Sequence, residues 1–211
     1  MENALAFIKP MGSNHSLEDF RERQAELKEF RDMDREAVEY IGKEFHDSEG
    51  RALVLPETLE RMRGLPSEFK SHEELAKAYA KETGNAAPKG LEGFSKGLEM
   101  PAQICSDHQQ TINESILHER LHQASDPDGN ALLGSNLAEG TTQALTEKMQ
   151  AGVSFGDFYP SETQAAKELM KEGGDTAVEK LYFQNDAQEL KASLTRDSQH
   201  DSNLEQFKNG R

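Results

Sequence analysis

The sequence predicts a mainly α-helical protein with a small β element, an α+β domain. Three observations predict this. Apolar residues recur at helical spacing in several segments that open on capping residues. A single short run, Arg51-Ala52-Leu53-Val54-Leu55, has the density of a strand. The chain has 211 residues, of which 35% are hydrophobic, and its mean hydropathy is -0.82. That is material for one core with polar ends. The expected organisation is a disordered leader over 1–16, one domain over 17–194 and a disordered tail over 195–211.

Ser16 can cap a helix running to about Phe45, with Asp19 three positions on. Leu17, Phe20, Leu27, Phe30, Ala37, Val38 and Ile41 give it a thin apolar stripe, as in a solvated helix packed along one edge. Arg51–Leu55 reads as a strand closed by Pro56. Pro56 to Gly64 reads as a short helix and Leu65-Pro66-Ser67 as a break. Ser71 and Glu74 form a capping box for a helix with Leu75, Ala78 and Tyr79 inward, stopped at Gly84-Asn85. Residues 84–101, rich in Gly, Pro and Lys, read as a loop. Phe94, Leu98 and Met100 either pin it to the core or line a groove.

Thr111 to Ala124 has helical spacing, with Ile112, Ile116, Leu117 and Leu121 on its buried side. Asp126-Pro127-Asp128-Gly129-Asn130 reads as a turn. A helix follows from about Ser135 or Asn136 to Gln150, with Leu137, Leu145 and Met149 inward and Gly152 as its stop. Phe155 to Pro160 is an aromatic loop. Ser161 caps a helix with Ala165, Ala166, Leu169 and Met170 inward. Gly173-Gly174 breaks it before a last helix carrying Val178, Leu181, Tyr182 and Phe183.

Net charge is -15 and the isoelectric point is near 4.9. Such a surface repels phosphate backbones and anionic bilayers, so neither nucleic acid nor a membrane is an expected partner. It is compatible with a basic protein substrate. No run approaches the roughly 18 apolar residues of a membrane span, and the N-terminus lacks the pattern of a secretory signal peptide. The expectation is a soluble monomer that stays in the cytoplasm or leaves by a route reading no cleaved signal. Cys105 stands alone, so no intrachain disulfide forms. It reads as a small buried side chain.

The chemistry concentrates at His118-Glu119-Arg120-Leu121-His122, an H-E-x-x-H run on the 111–124 helix. Histidines at i and i+4 share one helix face and can hold one Zn2+ from the same side. Glu119 is then placed to take a proton from metal-bound water. A catalytic zinc needs a third protein ligand. Glu139 lies 17 residues after His122, in the first turn of the next helix, where a helical hairpin can bring it to the metal. Asp128, six after His122, is the rival. It occupies the position of the last ligand in an extended H-E-x-x-H-x-x-G-x-x-H motif, but Ser125 stands where that motif needs Gly to turn. Asn113, Asp107, Thr142 and Gln143 are candidates to orient the imidazoles. His15 and His108 read as surface residues.

His118-Glu119-x-x-His122 followed by Asn136-Leu137-Ala138-Glu139-Gly140-x-Thr142-Gln143-x-Leu145-Thr146 resembles the gluzincin metallopeptidases, zincins whose third ligand is a Glu on a downstream helix. It is similar in flavour to compact bacterial zincins that act as secreted toxins and host-directed effectors. The resemblance covers roughly residues 110–185. It implies a zincin-like core with a strand beside the metal helix, for which Arg51–Leu55 is the obvious supplier. It also implies a downstream Tyr that polarises the scissile carbonyl. Tyr159 occupies that kind of position, unless it packs beside Phe155 and Phe158, and Tyr182 is a weaker substitute. The expected activity is zinc-dependent hydrolysis of a peptide bond in a protein substrate by an effector leaving a bacterium without a signal peptide. The competing expectation is an acidic helical interaction protein with a fortuitous motif.

Overall fold

A computed structural model of the chain describes residues 17–150 and 159–196. The expectations for the leader, for Gly152, for the loop at 155–158 and for the tail from 197 onward fall outside the described residues. Among them are nine helices and three short strands. Helix α1 (Leu17–Glu44) leads into α2 (Pro56–Gly64), β1 (Glu68–Lys70) and α3 (His72–Thr83). Strands β2 (Gly93–Phe94) and β3 (Gln103–Cys105) precede α4 (Ile112–Ala124). Then follow α5 (Pro127–Leu133), α6 (Ser135–Met149), α7 (Pro160–Gly173), α8 (Asp175–Gln184) and α9 (Gln188–Arg196). The mainly α reading with a small β element therefore holds. No helix among the described residues is long and apolar enough to cross a membrane.

Helix α4 is the axis of the molecule. Its residues are buried on nearly every side, because α1, α2, β2, β3 and α6 all pack against it. Ile116 and Leu121 sit fully buried in a single main core with Val38, Ile41, Met62, Ile104 and Leu145. Helix α1 contributes Phe30, Ala37, Val38 and Ile41 to that core, the stripe expected of it. The Ser71–Glu74 capping box is formed, and α3 ends on a left-handed Gly84 (φ 74°). Leu98 packs against the main core and Phe94 and Met100 against a smaller cluster with Leu75 and Cys105, so the 84–101 segment is pinned at both.

The sheet corrects the strand assignment. Its order is β1-β3-β2, with β1 parallel and β2 antiparallel to β3. Arg51–Leu55 is not in it. Ala52 makes an isolated bridge with His46, the Leu53 N–H bonds to Phe45 O, and Leu53 O accepts from Gln184 Nε2 at 2.9 Å. Leu53 and Val54 are buried, but its backbone pairs locally and with a side chain instead of with strands. The true strands are two or three residues long, so their stability comes from their partners and leaves little period-2 signal.

Two further differences concern helices. Asp126 to Asn130 is not a free turn. The Asp126 carboxylate accepts from the N–H groups of Asp128 and Gly129, Pro127 takes the first helical position, and α5 begins there. Beyond α8 the chain forms α9, which buries Leu190 and extends past the expected domain end to Arg196. In α7, Thr163 rather than Ala165 takes the inward position beside Ala166 and Met170.

Candidate metal centre

On α4 the histidines at 118 and 122 face α6, and Arg120 between them faces the opposite way, toward α1 and α2. Helix α6 packs against α4 and presents Glu139 from its first turns. His122 Nε2 lies 3.2 Å from His118 Nε2 and 3.1 Å from Glu139 Oε2, and His118 Nε2 lies 3.3 Å from the same oxygen. Ligand atoms of a tetrahedral zinc with bonds of about 2.0–2.1 Å stand about 3.3–3.4 Å apart. The triangle of donors therefore has the size that such an ion requires, and the three groups can hold one.

The far side of each imidazole fixes its proton. The Gln143 amide nitrogen donates to Glu114 Oε1 at 2.7 Å, and a carboxylate only accepts. That turns Gln143 Oε1 to His118 Nδ1, 3.1 Å away, so Nδ1 is the donor. Thr142 donates its hydroxyl proton to Ala138 O at 2.9 Å. Its oxygen is then an acceptor for Tyr182 O–H at 2.6 Å and, at a longer 3.4 Å, for His122 Nδ1–H. In the tautomer that a metal requires, both rings then turn a lone pair on Nε2 toward the Glu139 carboxylate. Three acceptors converging with no proton between them is an unfavourable arrangement that a cation resolves.

A proton can take the place of that cation: burial alone raises Glu139, but hydrogen bonds from protonated His118 and His122, and their charge, outweigh it and hold its carboxyl well below the usual range. Glu119 faces the same cleft fully buried. Burial first, and the neighbouring Glu139 charge, push it up to about 8, while His118 opposes the shift. Its Oε2 is buried without a hydrogen-bond partner, so the group is poised toward the cleft and is not spent on structure.

Strand β2 forms the wall beside Glu119. A Cβ at Gly93 would stand 2.8 Å from Glu119 Cγ and 3.1 Å from Gln103 O. Only glycine lets the strand run this close to the carboxylate. The cleft holds about 300 Å³ and is lined by Gly93, Ser115, His118, Glu119, Gln143 and Tyr159 among others. A larger cavity of about 1080 Å³ lies behind α4, under Arg120 and Asp34, away from the histidines.

Tyr159 stacks on His118, ring centroids 6.1 Å apart and planes at 14°. It is 45% exposed and adopts a left-handed conformation, φ 52°, just before Pro160 opens α7. Burial of its hydroxyl, with the Glu139 and Glu119 charges, pushes it up to about 12, so it stays a donor at neutral pH. Tyr182, in contrast, is fully buried behind Thr142 and holds the His122 side of the site.

The structure thus brings together His118, His122, Glu139, Glu119 and Tyr159. Asp128 is exposed on α5 and outside the ligand group. Thr142 and Gln143 do orient the rings. Asn113 and Asp107 do not: Asn113 is exposed, and Asp107 bonds the His72 N–H. Glu114 and Gly93 escaped the sequence reading. Glu114 was within its reach, since it lies one turn before His118 on the same face. Gly93 left no local signal.

Comparison with protein-family models, with curated proteins and with solved structures finds no match for this chain.

Proposed function

We propose that this protein is a zinc-dependent endopeptidase with a zincin-like core that hydrolyses a peptide bond in a protein substrate. One observation carries the reading: two Nε2 lone pairs and a carboxylate oxygen converge at 3.1–3.3 Å, beside a buried carboxylate with an unpartnered oxygen. His118, His122 and Glu139 would hold the zinc. When bound, the ion supplies Lewis acidity, polarising a carbonyl and making water nucleophilic at neutral pH.

The chain's own groups do the rest. Gln143 and Thr142 keep each ring in the tautomer that leaves Nε2 free. Glu119 accepts the proton of the attacking water and returns it to the leaving amine nitrogen. Its burial keeps the carboxyl basic enough for both transfers. Tyr159 donates its O–H to the carbonyl oxygen as negative charge develops there. The cleft between β2 and α4 excludes water from the reacting atoms. Delivery as an effector belongs to the same proposal, with the motif resemblance as its support. A native form matured by signal cleavage in the periplasm would count against that part.

The test is Glu119→Gln. The variant is expected to keep its zinc and to lose cleavage by about 10²–10⁴-fold, measured by mapping new N-termini in a lysate incubated with the zinc-loaded protein. Cleavage at the wild-type rate would remove Glu119 from the mechanism. Zinc content unchanged by the His118→Ala/His122→Ala double substitution would favour the interaction-protein reading instead.

A further inference from the structure

A second set of metal-binding side chains meets where β3, the loop after it and the start of α3 come together. Cys105 ends β3 and is 1% exposed. His108 follows three residues later, and His72 opens α3. Both histidines are exposed. Cys105 Sγ and one nitrogen from each ring lie within 4.8 Å of one another. The two rings meet edge to face, centroids 6.3 Å apart and planes at 71°. None of these residues is shared with the His118 site.

Two features favour this group. The backbone amides of Asp107 and His108 pull the Cys105 thiol down, as N–H dipoles near sulfur favour the thiolate that a metal requires. The Asp107 carboxylate accepts the His72 N–H at 2.8 Å, which fixes the start of α3 against the loop.

We propose that Cys105, His72 and His108 bind a second zinc ion, with the sulfur as its soft ligand and the fourth position open to solvent. A mixed thiolate and imidazole set selects zinc over magnesium or calcium, which prefer oxygen. Burial pushes the Cys105 thiol up, against the two amides, so the sulfur is protonated before loading and its proton leaves as the Zn–S bond forms. The ion would tie α3 to β3. Through the β3–β2 pairing it would stiffen the strand that carries Gly93 against Glu119. The proposal does not rest on the peptidase reading.

Cobalt tests it, because a thiolate bound to Co2+ absorbs in the near ultraviolet by charge transfer and the His118, His122 and Glu139 set contains no sulfur. The full chain carrying His118→Ala/His122→Ala, titrated with Co2+ alone, is expected to bind one equivalent and to show this band. Adding Cys105→Ala is expected to abolish it. His72→Ala and His108→Ala change exposed positions, so the fold is retained, and each is expected to weaken cobalt binding at least tenfold. Absence of the band in the double variant would overturn the proposal. So would a band whose cobalt titration is unchanged by His72→Ala and His108→Ala, since the sulfur would then be acting alone.

Discussion

Arg120 stands between the two histidines in sequence and points away from them in space. Fully buried, it donates to both oxygens of Asp34 on α1, to the carbonyls of Met62 and Leu65, and to Gln123 Oε1. Asp34 also accepts from the N–H and hydroxyl of Ser67. The pair is buried and hydrogen-bonded on every side-chain oxygen, so its value lies in what its loss leaves behind. Asp34→Ala strands a buried guanidinium and is expected to cost about 3–5 kcal/mol. For a domain of this size that is a fall in Tm of roughly 6–20 °C, read by thermal unfolding. The double variant Asp34→Leu/Arg120→Met is expected to recover more than half of it, and no recovery would mean that the charge is not the cause. At the same scale, Tyr159→Phe removes one exposed donor and no packing. Its expected effect is a roughly 10²–10³-fold fall in kcat with zinc content and Tm unchanged. A rise in KM alone would assign Tyr159 to ground-state binding.

Among the elements, the α6–α7 contact decides where Tyr159 sits. A Cβ at Gly140 would stand 2.1 Å from the backbone oxygen of Glu162, so α7 rests directly on the α6 backbone, one residue past Glu139. Gly140→Ala must push the two helices apart. Its expected cost is about 1–3 kcal/mol, with a loss of activity as Tyr159 moves off His118. Gly64→Ala is the control. It sits in helix α2 with open space around it, and the expected result is unchanged or slightly raised stability. Equal Tm values for the two variants would refute the close-packing argument. The elements also show how legibility varied. Capping boxes and helical stripes act within one turn, so α1, α2, α3, α4, α6, α7 and α8 could be read from the sequence. The β1–β3 pairing joins residues more than thirty positions apart, Glu68 with Gln103 for example, and no local pattern encodes that partner.

For the molecule as a whole, the site is a junction of separate parts of the chain: α4, α6, the β2 strand and the start of α7. An ion bound at their meeting point stabilises the folded state by mass action, because the unfolded chain does not hold the three ligands together. Zinc at about one hundred times its dissociation constant contributes roughly 2.7 kcal/mol, or about 5–10 °C of Tm in a domain of this size. A chelator is therefore expected to lower Tm in the wild type by that order, and by less in His118→Ala/His122→Ala. Equal shifts in the two proteins would separate the histidines from the metal.

The sequence by itself determined the helical class, most helix boundaries and the placing of His118 and His122 on one face, because each follows from interactions within a turn or two of chain. It narrowed the candidate third ligand to Glu139 or Asp128 and the candidate aromatic donor to Tyr159 or Tyr182. Only the tertiary structure shows which of them stand beside the histidines. Packing of α6 on α4 brings the Glu139 carboxylate within 3.1 Å of His122 Nε2 and leaves Asp128 at the surface, while the core takes Tyr182. Those choices depend on which distant surfaces meet, and that is a property of the packed chain.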